Sequence, residues 1–220
     1  MKRILLLTVF LSSTPLAFAE IYKLAVPSDQ GLQLYWWPIL PDIPGWRHDE
    51  GASRAQGVNA LVPDGQSFSG APAIIYARAM FKPRMPDVKS LRQLIDEDRA
   101  GFERDFPGIS IQELKPIKDG DAKMHPYFSY SPRGEGSWEL VAYGEENDFY
   151  LLFTLSGNSK PALESARADF ERLVATYRAR LAAHTKSRVS RVGSKREMIL
   201  SESSSPLYRT GDFVRWLSAA

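Results

Sequence analysis

Histidine and serine are the first candidates for nucleophilic catalysis in this chain, because its 220 residues include no cysteine. A thiol nucleophile is therefore excluded. The stretch nearest to the G-x-S-x-G elbow of serine hydrolases is Gly65-Gln66-Ser67-Phe68-Ser69, which lacks the second glycine. No S-x-x-K motif is present. A serine site would have to be assembled from residues that are distant in sequence.

The histidine with the most polar neighbours is His48, which Arg47, Asp49 and Glu50 flank. A neighbouring carboxylate can fix the tautomer of an imidazole, so this stretch is a candidate for acid–base chemistry. We predict a ligand-binding site at Trp46, Arg47 and His48. Two alternatives stay open: His48 is simply exposed in a polar turn, or a hydrolase site is assembled around Arg47, His48 and Asp49.

Neither metal nor nucleotide chemistry has a recognisable motif in the sequence. His48, His125 and His184 do not stand in H-x-H or H-E-x-x-H spacing. His125 precedes Pro126, which predicts a sheet edge or a bulge there. There is no Gly-Lys pair for a Walker loop, and Gly134-Glu135-Gly136 lacks the third glycine of a dinucleotide fingerprint. We therefore predict no catalytic residue, no metal and no cofactor, and a function that leans away from catalysis.

Two acidic turns are the remaining candidates for cation binding. Asp119-Gly120-Asp121 lacks most ligands of an EF-hand loop. Glu145-Glu146-Asn147-Asp148 has four side chains with oxygen atoms but no framework that would place the six or more ligands that calcium needs. Solvated hairpin turns are the simpler interpretation of both.

The N-terminus has the pattern of a secretory signal peptide. Lys2 and Arg3 precede the apolar run Ile4 to Leu11, and Ala17-Phe18-Ala19 has the small-x-small form of a cleavage site. We expect cleavage after Ala19 and a periplasmic or secreted protein; the alternative is an uncleaved anchor. No later stretch is long and apolar enough for a membrane span.

Charge is divided unevenly along the chain. The predicted signal contains two of the 28 basic residues and no acidic residue, so 26 basic residues remain against 26 acidic ones. Residues 178–220 contain nine basic and three acidic residues, a net charge of +6, which leaves −6 on residues 20–177. Nucleic acid is not an expected partner of an exported chain, whereas an anionic envelope surface would suit the basic segment.

Alternation and helical periodicity predict the elements that would carry these residues. A helix is expected from the Ser90 N-cap to Pro107, and a longer one over Lys160–Ala183, about 36 Å in length. The predicted strands are Leu34–Leu40, Gly45–His48, Val58–Val62, Ala73–Lys82, Ile109–Ile117, Lys123–Tyr130, Trp138–Tyr143 and Phe149–Leu155. This order predicts an α+β fold in which an antiparallel sheet is sandwiched between helices and the long C-terminal helix packs on the sheet.

The predicted domain organisation follows from these elements. Residues 1–19 form the signal, residues 20–183 a single α+β domain, and residues 184–220 a basic, Ser-rich and mobile tail. Phe213 to Leu217 is a short apolar patch in that tail, which either docks loosely or recruits a partner. Aromatic residues are dense in the predicted strands, where they either fill the core or line a pocket.

Four stretches resemble a group of exported bacterial proteins with the α/β/α sandwich of the PsbP-like superfamily, and the likeness covers about residues 40 to 180. They are Gly45 to His48, Gly57 to Pro63, Ala71 to Tyr76, and Val141-Ala142-Tyr143-Gly144-Glu145-Glu146 through Phe153-Thr154-Leu155-Ser156. Relatives in this superfamily include an extrinsic photosystem subunit, a nuclear-transport factor that binds the Ran GTPase, and a periplasmic protein linked to phage DNA entry. The resemblance implies a binding or assembly role, with an envelope protein or a small ligand as the partner.

Overall fold

Nine strands and three α-helices make up the structure, a computed structural model that describes residues 21–28, 31–134 and 136–179. The strands are β1 (Ile21–Ser28), β2 (Gly31–Pro38), β3 (Trp46–His48), β4 (Asn59–Pro63), β5 (Ala73–Phe81), β6 (Ser110–Lys118), β7 (Met124–Ser131), β8 (Trp138–Glu146) and β9 (Phe149–Gly157). The helices are α1 (Glu50–Gln56), α2 (Leu91–Asp105) and α3 (Lys160–Thr176). The predicted signal and tail lie outside the described residues.

All nine strands belong to one antiparallel sheet. Its main path runs β1-β2-β5-β9-β8-β7-β6, and β3 joins it through β4. β5 pairs with β9 over its whole length on one edge. Its other edge is shared, because β4 pairs with Ile75 to Ala77 and β2 pairs at Ala79. The sheet therefore divides on that side into a β4–β3 branch and a β2–β1 branch.

Helix α3 covers one face of the sheet. It packs mainly on β9, β8, β6 and β5. Its five buried residues face the core, and Phe170, Leu173 and Val174 are fully buried. Burial of each such apolar side chain contributes about 1.5–3 kcal/mol to the free energy of folding. The predicted α+β architecture, with a C-terminal helix packed on an antiparallel sheet, is confirmed at this level.

The opposite face carries two smaller cores. One joins α2 to β7, β8 and β9 through Leu94, Ile95 and Phe102. The other joins β4 and β5 to Phe68. Because both faces of the sheet are covered, consecutive residues of β5 such as Ile74 and Ile75 are buried on opposite faces.

Serine side chains fix the start of the two longer helices. The Ser90 hydroxyl accepts a hydrogen bond from the Gln93 amide at 3.2 Å, and that of Ser159 accepts from the Ala162 amide at 3.4 Å. Each cap satisfies an amide that has no partner within its helix. Both predicted helix starts are confirmed.

Three local predictions were wrong. Helix α3 ends at Thr176, so its 17 residues span about 25 Å instead of extending through Ala183. The stretch between β3 and β4, where no helix was predicted, contains α1, which Asp49 caps by accepting from the Ala52 amide at 3.0 Å. Strand β1 was not predicted, and the predicted strand Leu34–Leu40 begins earlier, at Gly31.

Candidate functional site

The predicted site residues Trp46, Arg47 and His48 form β3, which pairs with β4. Because side chains alternate along a strand, Trp46 and His48 lie on one face and Arg47 on the other. Trp46 Nε1 donates a hydrogen bond to Asp169 Oδ2 of α3 at 3.0 Å. Arg47 donates to the Gln66 carbonyl at 2.6 Å. The three residues are therefore neighbours on one short strand, but their side chains do not point toward a common site.

His48 is held by neighbouring polar groups. Its Nδ1 lies 3.1 Å from Asn59 Oδ1, and its Nε2 lies 3.7 Å from Oδ1 of Asp42, whose side chain is fully exposed. Asp49 is occupied as the N-cap of α1. The side chains proposed for a hydrolase therefore make contacts that stabilise β3 and α1.

A buried carboxylate and two tyrosines form a hydrogen-bonded chain beneath α2. The Tyr143 hydroxyl donates to Asp98 Oδ2 at 2.6 Å, and the Tyr130 hydroxyl lies 2.8 Å from that of Tyr143. Burial raises the pKa of Tyr143, and the negative charge of Asp98 raises it further. Tyr130 also stacks on Phe102 of α2 at 4.2 Å between ring centroids. These hydrogen bonds and the ring stacking attach α2 to the sheet.

Glu139 is a second acidic group in the interior, with 0% of its surface exposed. It lies opposite Ser156 in the β8–β9 ladder. Neither of its carboxyl oxygens makes a hydrogen bond of good geometry to another described residue. Burial raises the pKa of Glu139 well above its usual value and Asp98 adds to the shift, while Ser156, Arg78 and Tyr76 act in the opposite direction. The uncharged form of Glu139 is therefore favoured by its surroundings.

The Asp119 turn is a buried polar anchor, contrary to the solvated turn predicted from the sequence. Asp119 Oδ2 lies 2.9 Å from His125 Nε2, and Asp119 Oδ1 accepts hydrogen bonds from the amides of Asp121 and Lys123 at 2.9 Å each. The His125 side chain is 3% exposed and that of Asp119 is 1% exposed. The sequence predicted an edge or a bulge at His125. A bulge is present in the facing strand β6, and the pairing of β7 with β8 covers Tyr127 to Tyr130 without reaching His125.

The same turn holds the chain where it leaves α3. The Gly120 amide donates to the Tyr177 carbonyl at 2.9 Å, and the Ala179 amide donates to Asp121 Oδ2 at 2.7 Å. Arg178 lies 3.5 Å from the Asp121 carboxylate. These contacts draw the backbone away from the helical path, which explains why α3 ends before the predicted Ala183.

Within the described ranges, no group of three or more His, Asp or Glu residues could hold a metal ion. No helix in that part of the chain has the length and apolar character needed to cross a membrane.

The most exposed aromatic surface lies on the β1–β2 hairpin. We call it the hairpin surface and define it by Tyr22, Lys23, Leu32, Trp36, Trp37 and Arg84. Tyr22 is 52% exposed and Leu32 is 54% exposed. The rings of Tyr22 and Trp37 lie 6.3 Å apart on one face of the hairpin.

On the other face of the hairpin, two cations lie close to the indole of Trp36. Lys23 Nζ lies 5.8 Å and the Arg84 guanidinium 4.7 Å from the Trp36 ring. Trp36 also stacks on Phe81 at 5.5 Å. Such mixtures of aromatic side chains and arginine are enriched in protein interfaces.

Sequence reasoning missed this surface because it did not predict β1. A signal was present, since Ser28-Asp29-Gln30-Gly31 separates two runs rich in aliphatic and aromatic residues.

Comparisons with known proteins returned no matching family model and no matching curated protein. Solved structures are similar at a low level, and two of them are described here. The Saccharomyces cerevisiae Ran-binding protein Mog1p is 9% identical, with a TM-score of 0.36 over 69% of this chain and 85% of that chain. A point mutant of protein Mog1 is 11% identical, with the same TM-score over 70% and 87% of the two chains. These scores are too low to bear on the fold or the function of this chain.

Proposed function

We propose that this chain is an exported cell-envelope protein that acts by binding a partner, as a non-enzymatic module of the PsbP-like α/β/α type. The observation that carries the proposal is the hairpin surface, which exposes aromatic and aliphatic side chains beside two cations. The resemblance to exported PsbP-like proteins and the signal-like N-terminus support the same role. The partner would be an envelope protein or a small ligand, and the basic C-terminal segment would contact an anionic surface.

The placement of the polar groups also favours binding over catalysis. Asp98, Asp119, His125 and Glu139 are all buried, so a substrate in solvent has no direct access to them. Hydrogen bonds to neighbouring elements account for the geometry of Asp98, Asp119 and His125. These groups serve the fold, which leaves the exposed side chains for recognition.

Site-specific photo-crosslinking in the native host tests the binding surface. A photoreactive residue at Leu32 should give a discrete cross-linked species, and Trp36→Ala should reduce its yield at least fivefold. The matched control is the same residue at Gln112, an exposed position on β6 at the other end of the sheet. Equal yields at both positions would contradict the proposal.

Export and the absence of catalysis need separate measurements. Cell fractionation followed by N-terminal sequencing should find the chain in the envelope or the medium, beginning at Glu20. Purified mature protein should leave chromogenic esters, glycosides and phosphates unchanged. Turnover that His48→Ala abolishes would support the hydrolase alternative at Arg47, His48 and Asp49 instead.

A further inference from the structure

The hydrogen-bonded chain beneath α2 brings two buried carboxyl groups into one cluster. Asp98 of α2 is 6% exposed and Glu139 of β8 is 0% exposed. The Tyr143 hydroxyl donates to Asp98 and lies 2.8 Å from the hydroxyl of Tyr130. Tyr130 in turn lies directly opposite Glu139 in the β7–β8 ladder. Because directly opposite side chains share one face of a sheet, we group these four residues as the acid cluster.

The acid cluster lies on the α2 face of the sheet. Leu140 and Ala142 of β8 pack in the core under α3. Val141 and Tyr143, which alternate with them, pack in the core under α2. Glu139 is two residues before Val141 and therefore points to the same side of the strand. A change of charge at Glu139 acts on α2, because the sheet separates it from α3.

The polar and charged groups around Glu139 come from α2 and from the strands on either side of β8. They are Asp98 and Arg99 of α2, Tyr76 and Arg78 of β5, Tyr130 of β7, Tyr143 of β8 and Ser156 of β9. Burial raises the pKa of Glu139 well above its usual value, and Asp98 raises it further. Ser156, Arg78 and Tyr76 act in the opposite direction but are outweighed. The cluster thus disfavours a second negative charge beside Asp98.

Helix α2 is attached to the sheet over a smaller area than α3. Its main contact is with β8, whereas α3 packs on β9, β8, β6 and β5. Leu94, Ile95 and Phe102 supply the buried apolar side chains of α2, and Asp98 supplies the hydrogen bond to Tyr143. Elements with fewer buried contacts open at a lower free energy than the rest of a fold. Opening of α2 leaves the core under α3 covered.

We propose that loss of the Glu139 proton to solvent releases α2 from the sheet while the strands and α3 stay in place, so that the acid cluster is a pH-sensitive switch. With α2 in place, a carboxylate at Glu139 would be buried beside Asp98 without hydration. When α2 lifts, water reaches that carboxylate. Attachment of α2 is therefore strongest at low pH and is lost as pH rises through the folded pKa of Glu139. From the usual pKa up to that folded pKa, each pH unit favours the open position about tenfold.

Amide hydrogen exchange of the purified mature protein at pH 5 and pH 8 tests the switch. Each rate is divided by the intrinsic rate at the same pH, so that protection alone is compared. Relative to residues 163–174 of α3, protection of residues 94–102 of α2 should fall at least tenfold between the two pH values. Glu139→Gln keeps the side-chain shape but cannot ionise, so its fall should stay below threefold. Glu103→Gln, on the exposed face of α2, is the matched control and should behave like the original chain.

Asp98→Asn provides a second measurement that does not depend on how well Glu139→Gln folds. It removes the neighbouring negative charge, and its amide oxygen can still accept from Tyr143. The fall in α2 protection should therefore be smaller than in the original chain. Unchanged protection of α2, an equal loss in α2 and α3, or a full tenfold fall in either Glu139→Gln or Asp98→Asn would each overturn the proposal. No partner takes part in the measurement, so its outcome is independent of the proposed function.

Discussion

Glu139 is a carboxyl group whose ionisation opposes folding. Burial raises its pKa above the usual 4.5, with Asp98 adding to the effect. A group of this kind contributes stability that is fully present below the unfolded pKa and is lost as pH rises through the folded pKa. Between the two pKa values the loss is about 1.4 kcal/mol per pH unit.

Glu139→Gln should therefore stabilise the protein most at alkaline pH. We expect urea unfolding to show a clear gain over the original chain at pH 8 that shrinks toward pH 4.5, because glutamine cannot ionise. Glu113→Gln on the exposed face of β6 is the control and should change stability by less than about 0.5 kcal/mol at either pH. A gain independent of pH would mean that ionisation of Glu139 is not the cause.

Asp119 combines a buried pair with His125 and two hydrogen bonds to backbone amides. Asp119→Ala should lower the free energy of unfolding by about 3 kcal/mol, because it leaves His125 and the turn amides without their acceptor. Lys123→Ala, in the same turn, removes an exposed side chain and should cost less than about 0.5 kcal/mol. Thermal unfolding followed by circular dichroism measures both, and similar losses would contradict the assigned role of Asp119.

At the scale of elements, Gly57 connects α1 to the hairpin. Its φ is +66°, and a Cβ there would lie 2.3 Å from Cε1 of Tyr35 on β2. Gly65 has a similar φ of +75° with nothing within 4 Å of a Cβ. The two positions separate backbone strain from steric overlap.

Gly65→Ala should cost about 1 kcal/mol, the strain of a left-handed conformation. Gly57→Ala should cost about 2 kcal/mol more, because Tyr35 must move. Chemical denaturation gives both values, and NMR shifts in the β1–β2 hairpin should accompany only the second substitution. Equal costs would indicate that Tyr35 adapts freely.

The elements that sequence predicted well are those with a strong local pattern. β5 at Ala73–Phe81 was predicted to within one residue, and α2 between its Ser90 cap and Pro107, because alternation, periodicity and capping are written in neighbouring residues. Helix α1 was missed because its seven residues are too few and too polar for a periodic signal. The early end of α3 depends on hydrogen bonds from the distant Asp119 turn, which local periodicity cannot reveal.

Candidate sites were harder to predict than elements, for the same reason. The burial of Glu139 follows from its register opposite Ser156 and from packing on both faces of the sheet. The Asp119–His125 pair depends on contacts between the β6–β7 turn and β8, where the Tyr143 carbonyl lies 3.1 Å from His125 Nδ1. Neither arrangement has a sequence motif. The β1–β2 hairpin, in contrast, has a turn signal at Ser28-Asp29-Gln30-Gly31.

For the whole molecule, the uneven distribution of charge leads to a test of the proposed anionic contact. Residues 178–220 carry a net charge of +6, and residues 20–177 carry −6. The mature chain should bind vesicles that contain phosphatidylglycerol at low salt, and a chain that ends at Ala179 should bind at least tenfold more weakly. Sedimentation with phosphatidylcholine vesicles is the control, and 0.5 M salt should release the chain through screening. Equal binding by both chains would exclude the basic segment as the contact.

The β5–β9 ladder at the centre of the sheet has a consequence for the rate at which the chain folds. It pairs residues 68 to 84 positions apart, from Phe81 with Phe149 to Ala73 with Gly157. The β6–β9 meander can form from neighbouring hairpins, but it joins the first strands only when that long loop closes. High contact order of this kind slows folding to the millisecond-to-second range. A newly made chain would thus expose the facing edges of β5 and β9 until the two strands pair, and that interval is when it most needs protection from aggregation.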